Sequence, residues 1–129
     1  RRREEATVRQ VVDAPTLLAM QAGVEDVRVD PDVLRYCVDL AAATRRHDAV
    51  GVGASPRGSQ ALMLAARALA VLEARRFAAP EDVKAVAVPA LAHRLTLTPA
   101  AWASGVSPEA VVRDVLASVP GPAAVPTAG

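Results

Sequence analysis

Apolar residues recur at helical spacing along much of the chain, and prolines mark where the apolar segments begin. In the segment that opens with Asp30 and Pro31, six residues fall on one face: Val33, Leu34, Cys37, Leu40, Ala41 and Thr44. This spacing predicts an amphipathic helix, with Asp30 as its N-cap and Pro31 as its first residue.

Three more helices are predicted in the same way. One runs from Pro56 to about Arg75, one begins at Pro80, and one begins at Ser107-Pro108. Their expected inner positions are Ala61, Leu62, Ala65, Ala66, Leu69 and Leu72; Val83, Val86, Ala87, Ala90 and Leu91; and Val111, Val112, Val115 and Leu116. Proline at position 89 predicts a kink or a short break in the helix that begins at Pro80.

A weaker apolar pattern follows Asp13 and stops near Gly23, which predicts a further helix. Residues 24–29 are expected to be extended. Residues 96–105 are expected to be a connector, with Trp102 anchoring it against the bundle. The predicted fold is therefore an all-α bundle of four to five helices over residues 14–119, with a linker at 1–13 and a flexible, proline-rich tail at 120–129.

Composition supports this fold and limits the function. Hydrophobic residues make up 52% of the chain but aromatic residues only 2%, which suits closely packed helices better than a β-sandwich. The net charge is +1, from 15 basic and 14 acidic residues, and this balance argues against a nucleic-acid partner. No apolar run approaches the ~18–20 residues that would span a membrane, and no signal-peptide core is present. We expect a cytoplasmic protein.

Few residues suggest catalysis or metal binding. Cys37 is the single cysteine, so no disulfide and no cysteine metal cluster can form within the chain, and its position predicts burial. His47 and His93 lie near predicted helix ends, where a structural role suffices, and no metal site is predicted. Five arginines also lie at predicted C-termini, where the helix dipole favours cations, and they are expected to be solvated: Arg45, Arg46, Arg75, Arg76 and Arg94.

Arg57 is the exception, because it lies in the first turn of its predicted helix, directly after Ser55 and Pro56. A cation is unfavourable at that end of a helix. One interpretation is a phosphate site, in which the free amides of the helix start and the guanidinium bind an anion together. The other is a surface ion pair with a nearby acidic residue such as Asp48. The residues alone favour neither.

The stretch "TRRHDAVGVGASPRGSQALMLAARALAVLEARRFAAPEDVKAVAVPALAHRLTL" closely resembles the carboxy-terminal lid domain of MoxR-type AAA+ ATPases. In that family, "GASPR" opens a lid helix and its arginine is the sensor-2 residue that reaches the γ-phosphate of ATP. The segments "ARRFAAPEDVKAVA" and "ALAHRL" match the family's next helix in order and spacing. Weaker similarity extends from about Thr7 to Val119.

The resemblance implies a role for Arg57 as the sensor-2 residue, with Ser55 and Pro56 beside it at the nucleotide. It further implies an upstream AAA+ motor domain joined through residues 1–13, ATP with Mg²⁺ in the longer protein, and a homo-hexamer. A von Willebrand factor A-domain protein is the implied partner of this chaperone-like machine. The phosphate loop and the arginine finger belong to the motor, so this chain alone is expected to be non-catalytic and to bind no nucleotide strongly.

Two positions depart from the family pattern. Ala79 stands where threonine usually precedes "PEDV", which removes an N-cap, and Phe77 stands where tyrosine is usual. The alternative function is a helical protein-interaction module with no nucleotide role, for which Arg57 would not be needed. A helix-turn-helix DNA-binding domain is disfavoured, because the charge is balanced and no basic recognition face is visible.

Overall fold

The computed structural model describes residues 7–123 of the chain. Six α-helices occur in this range: α1 Ala14–Glu25, α2 Pro31–Thr44, α3 Pro56–Leu72, α4 Pro80–Leu91, α5 Pro99–Ala103 and α6 Pro108–Ser118. Four short strands lie between them: β1 Arg28–Val29, β2 Val50–Val52, β3 Phe77–Ala78 and β4 Thr96–Leu97. The predicted all-α bundle is confirmed. The fifth helix is a single turn inside the predicted connector.

The strands form two pairs that link distant parts of the chain. β1 pairs in parallel with β3, with Arg28 opposite Phe77. β2 pairs antiparallel with β4, with Val50 opposite Leu97 and an irregularity before Val52. Strands this short carry no clear alternation of apolar and polar residues, so the sequence pattern does not reveal them. Three residues separate the end of β2 from the start of α3.

Side-chain caps fix the start of four helices. Asp13 Oδ1 accepts from the Thr16 amide at 2.8 Å, and Asp30 Oδ1 accepts from the Asp32 amide at 2.9 Å. Thr98 and Ser107 cap α5 and α6 in the same manner. These caps replace the missing helical partners of the first amides, and a proline lies at the first or second helical position after each of them. The predicted starts of α2 and α6 are thereby confirmed.

The remaining two long helices begin without a side-chain cap. Ser55 lies at the N-cap position of α3, but within the described chain its hydroxyl accepts no hydrogen bond from the helix. Ala79 lies at the N-cap position of α4 and has no acceptor to offer. Asp82 compensates in part, since its carboxylate accepts from the Ala79 amide at 2.7 Å. The missing cap expected at position 79 is confirmed.

The core lies between α2, α3, α4 and α6. The largest fully buried side chains include Tyr36, Leu40, Leu62, Leu91, Val83, Val111, Val112 and Val115. Cys37 is buried as predicted, and burial raises the pKa of its thiol to about 11. Leu34 was expected on the inner face but is 39% exposed, because α2 turns Tyr36 toward the core instead.

Two other apolar side chains also lie outside the core, against expectation. Leu72 is 72% exposed, since it is the last residue of α3 and the chain turns away from the bundle there. Trp102 is 77% exposed. It borders a shallow hollow with Leu97 and Val106, but a one-turn helix with no buried residue cannot carry it into the core. Its predicted role as an anchor is wrong.

Helix ends differ from expectation at three points. α1 continues past Gly23 to Glu25, and the extended part of the following segment is only β1. α3 ends at Leu72 instead of near Arg75, because Ala74 adopts a left-handed conformation with φ of 56°. α4 runs unbroken through Pro89 to Leu91 and then tightens into a 3-10 turn over Ala92–Arg94.

The segment after α6 has no regular structure as far as residue 123. Gly121 lies against the buried ring of Tyr36, since a Cβ added there would be 3.5 Å from Tyr36 Cζ. The predicted linker and tail fall partly on residues 1–6 and 124–129, which lie outside the described residues. Within residues 7–123, no helix is long and apolar enough to cross a membrane.

Candidate functional site

Arg57 occupies the second position of α3 and is exposed to solvent, as are Ser55 and Pro56 before it. Within residues 7–123 its side chain forms neither an ion pair nor a hydrogen bond, and the considered pair with Asp48 is not made. Nothing in the described chain therefore offsets a cation placed at the positive end of a helix dipole. The geometry fits a residue whose partner is an anion from elsewhere.

The start of α3 leaves little room for side chains beneath Arg57. A Cβ on Gly58 would lie 2.9 Å from the Ala54 Cβ and 3.2 Å from Leu91 Cδ2. The Gly58 amide donates to the Ser55 carbonyl at 2.7 Å, which tightens the first turn. Glycine at position 58 thus lets the helix start pack directly on the end of α4.

The side chain of a second arginine, Arg94, lies next to Gly58. Arg94 Cδ lies 4.0 Å from the position that a Gly58 Cβ would take, and Arg94 Nε donates to the Ala90 carbonyl at 3.0 Å. That hydrogen bond uses only one of the five N–H donors of the guanidinium. Arg94 was expected to be a solvated helix end. It is exposed, and its aliphatic stem lies beside Gly58, the residue that follows Arg57.

The loop before α3 is held by two residues of the α2 end. Thr44 is fully buried, and its hydroxyl accepts from the Ala54 amide at 2.9 Å while it donates to the Ala41 carbonyl at 2.7 Å. Arg45 Nη1 donates to the Ala54 carbonyl. Sequence reasoning placed Thr44 on an apolar face and Arg45 in solvent. A threonine among apolar positions was the available signal for a hydrogen-bonding role.

Arg75 likewise departs from the expected solvated end. Its guanidinium donates to both carboxylate oxygens of Asp82, at 2.7 and 2.6 Å, and to Glu73 at 2.6 Å. The hydrogen bonds to Asp82, then to Glu73, raise the pKa of Arg75, so it stays charged. This pair ties the end of α3 to the start of α4 and leaves Arg75 no freedom to bind a ligand.

The histidines have local roles, as expected. His47 Nδ1 accepts from the Ala49 amide at 3.2 Å, and its Nε2 lies 3.6 Å from Asp114 Oδ2. His93 Nδ1 lies 3.1 Å from the Pro89 carbonyl. In the described range no group of three or more histidine, cysteine, aspartate or glutamate side chains could hold a metal ion. The candidate site among the described residues is the start of α3, where Arg57 is exposed.

Comparisons with known proteins agree with this fold. The family model of the AAA lid domain matches residues 42–115. The chain is 38% identical to YeaC of Bacillus subtilis over 113 residues, which are 88% of this chain and 35% of YeaC. It is 36% identical to the chaperone MoxR1 of Mycobacterium tuberculosis over 120 residues, with 86% of this chain and 32% of MoxR1 covered.

A solved structure shows the same arrangement. The crystal structure of a candidate ATPase from Cytophaga hutchinsonii superposes with a TM-score of 0.83 at 27% identity, covering 89% of this chain and 38% of that one. The chain thus belongs to the AAA lid domains. More narrowly, it is a lid domain of the MoxR type of AAA+ ATPase. It spans about a third of the length of the curated relatives it matches.

Proposed function

We propose that Arg57 is the sensor-2 residue of a MoxR-type AAA+ ATPase and that this lid couples the state of the nucleotide to its own movement. The observation that carries the proposal is an exposed arginine without a partner in residues 7–123, at the end of a helix that disfavours a cation. The nearby Arg94 supports it, because two positive side chains and a helix start suit a polyphosphate.

Arg57 would act on the γ-phosphate rather than hold the whole nucleotide. In phosphoryl transfer, negative charge shifts as the bond to the γ-phosphate breaks, and a cation aimed there lowers the barrier. An arginine that touches only the γ-phosphate also loses its partner after hydrolysis. The lid can then move as a rigid body between two nucleotide states.

The rest of the site would come from the longer protein, which we call the parent. An upstream motor domain would supply the phosphate loop, the ligands of Mg²⁺ and the attacking water, and the parent would form a homo-hexamer. Mg²⁺ would neutralise phosphate charge there. Arg57 would serve ATP in its own subunit or in a neighbouring one. A von Willebrand factor A-domain protein is the proposed partner, within a chaperone-like cytoplasmic machine.

Substitution of Arg57 in the full-length parent tests the proposal. Arg57→Ala should reduce ATP turnover per folded molecule by about 10-fold or more, while nucleotide affinity falls much less, because the missing charge matters most in the transition state. Arg113→Ala is the matched control, since Arg113 is an exposed arginine on α6. It should turn over ATP as the wild type does. Normal hydrolysis by Arg57→Ala would refute the proposal.

The same substitution in the 129-residue chain separates function from stability. Arg57→Ala should leave the free energy of unfolding unchanged or raise it slightly, because it removes a cation from the wrong end of a helix. A structural ion pair would give the reverse pattern, with a less stable chain and a fully active parent. Chemical denaturation measures the first quantity and steady-state phosphate release the second.

A helical protein-interaction module is the second candidate function, and α1 favours it. No residue of α1 is buried, and Leu17, Leu18 and Met20 are 47%, 64% and 41% exposed. An apolar face of this kind suits a protein partner. The upstream coding sequence separates the two candidates, since a phosphate loop there supports the ATPase lid and an unrelated domain supports the module.

A further inference from the structure

The loop that presents Arg57 is fixed at a single buried residue, Ala54. Its side chain is fully buried, its amide donates to Thr44 Oγ1 at 2.9 Å, and its carbonyl accepts from Arg45 Nη1. Both backbone groups of Ala54 are therefore bound by consecutive residues at the end of α2. Ala54 precedes Arg57 by only three residues.

The threonine that makes this contact is itself held in place. Thr44 has no exposed surface, and its hydroxyl hydrogen points to the Ala41 carbonyl at 2.7 Å. Because that proton is committed to α2, the oxygen is left to accept from Ala54. The two hydrogen bonds thus define one orientation of the Thr44 side chain.

The residue before Ala54 lies directly on the α2 end. A Cβ on Gly53 would be 2.6 Å from both Cα and Cγ of Arg45 and 2.7 Å from its backbone nitrogen. Such distances leave space for glycine alone, so the loop lies against Arg45. Gly53 lies on the end of α2, Ala54 is hydrogen-bonded to it, and Ser55 is the N-cap position of α3 without a side-chain cap.

We propose that Thr44 and Arg45 are positioning residues for Arg57, acting through the backbone of Ala54. This inference rests on the proposed function of Arg57. Since Ser55 supplies no side-chain cap, the bonds to Ala54 replace it as the constraint on where α3 begins and in which direction Arg57 leaves the bundle. A displacement of about 1 Å at such a residue can cost a large factor in rate without any loss of folding.

Paired substitutions in the full-length parent test this role. Thr44→Val keeps the shape of the side chain but removes the acceptor, and Arg45→Met removes the guanidinium. Each should lower kcat for ATP by about 5-fold or more while KM changes by less than about 2-fold, because positioning acts on the transition state. Thr44→Ser retains the hydroxyl and should restore kcat to within about 2-fold of the wild type. Arg46→Met is the matched control, since Arg46 is the exposed neighbour of Arg45.

Two readouts distinguish positioning from loss of folding. Hydrogen exchange should accelerate at residues 53–58 in Thr44→Val, while α6 keeps its protection. In an Arg57→Ala background, Thr44→Val should lower kcat no further, since residues that act through one group are not additive. If Thr44→Val does not yield folded protein, the same two measurements are made on Arg45→Met, which should fold because Arg45 is exposed.

The outcomes separate this inference from the proposed function. If Arg57→Ala slows turnover but Thr44→Val and Arg45→Met turn over normally, the positioning role is wrong and the function of Arg57 stands. An equal further loss in the Arg57→Ala background would also overturn it, because the residues would then act independently of Arg57. If Arg57→Ala turns over ATP normally, both proposals are wrong.

Discussion

At the residue scale, the same side chain has different roles at different helix ends. Arg57, in the first turn of α3, has no side-chain partner among residues 7–123, whereas Arg45 binds the backbone of Ala54 and Arg75 binds two carboxylates. The helix dipole explains why cations gather at C-termini, but it does not say which of them find partners. Neighbouring elements decide that. The sequence alone marks Arg57 as unusual, because it lies at the N-terminal end of its helix. The roles of Arg45 and Arg75 are visible only from their contacts in the fold.

The Arg75–Asp82 pair should give the stability of the 129-residue chain a measurable pH dependence. Burial by itself raises the pKa of Asp82, but the hydrogen bonds from Arg75 and the Ala79 amide outweigh it, so the net pKa lies below 3.8. A carboxyl whose folded pKa is depressed stabilises the fold above its unfolded value, about 3.9. That contribution is lost as the pH falls through the folded pKa.

Asp82→Asn should lower the free energy of unfolding at pH 7 by roughly 1.5–3 kcal/mol, the usual value of hydrogen bonds to a charged group. It should also flatten the decline in stability as the pH falls below about 4, because the contribution of Asp82 is lost between the unfolded pKa and the lower folded pKa. Asp39→Asn, at an exposed position of α2, is the control and should retain the wild-type slope. Denaturation at a series of pH values gives both quantities. A wild-type slope in Asp82→Asn would contradict the assignment.

At the element scale, helix starts were better predicted than helix ends. Asp30 and Ser107 are N-caps followed by proline, and both helices begin there. The end of α3 was misplaced because no glycine marks it. Ala74 instead adopts φ of 56°, and the Arg75 amide reaches back to the Ala70 carbonyl at 2.8 Å. This hydrogen bond is typical of a Schellman ending, where glycine is the usual residue.

Ala74→Gly should therefore raise the free energy of unfolding by about 1 kcal/mol, because glycine adopts the left-handed conformation without the steric cost of a Cβ. Ala85→Gly is the matched control, since Ala85 is an exposed residue inside α4. That substitution should lower stability by about 1 kcal/mol. If Ala74 is strained, urea denaturation should give changes in the free energy of unfolding of opposite sign for the two variants. Destabilisation by both would mean that residue 74 is not left-handed in solution.

At the scale of the whole molecule, the bundle described over residues 7–123 presents Arg57 at its surface, at the start of α3. The described residues offer a helix start and two nearby arginines, Arg57 and Arg94, with no acidic cluster for a metal ion. The AAA lid family model matches residues 42–115, and the chain spans about a third of the length of the curated relatives.

The 129-residue chain alone should show no ATP turnover and bind ATP with a Kd of about 1 mM or weaker, since two cations and a helix start supply few contacts. Phosphate release and isothermal titration measure the two quantities, with the full-length parent as the positive control. Robust turnover by the isolated chain would show that catalytic groups exist within it.

The sequence by itself determined the helices α2, α3, α4 and α6, their starting residues and the unusual place of Arg57. These features are encoded in proline, cap residues and periodic apolar positions, which act within a few residues of each other. The motifs around Arg57 also carried the family resemblance. Because these signals are local, they do not depend on the rest of the fold, and the sequence alone is enough to recognise them.

Only the tertiary structure decided which side chains fill the core and what holds the Arg57 loop. Tyr36 is buried in place of Leu34, and Trp102 is exposed to solvent. Thr44 accepts a hydrogen bond from the amide of Ala54, ten residues further along the chain. These outcomes depend on how helices rotate and which segments they bring together. A buried polar residue such as Thr44 has a hydrogen-bond partner only where the fold places a backbone amide beside it. A short stretch of sequence does not predict such a contact.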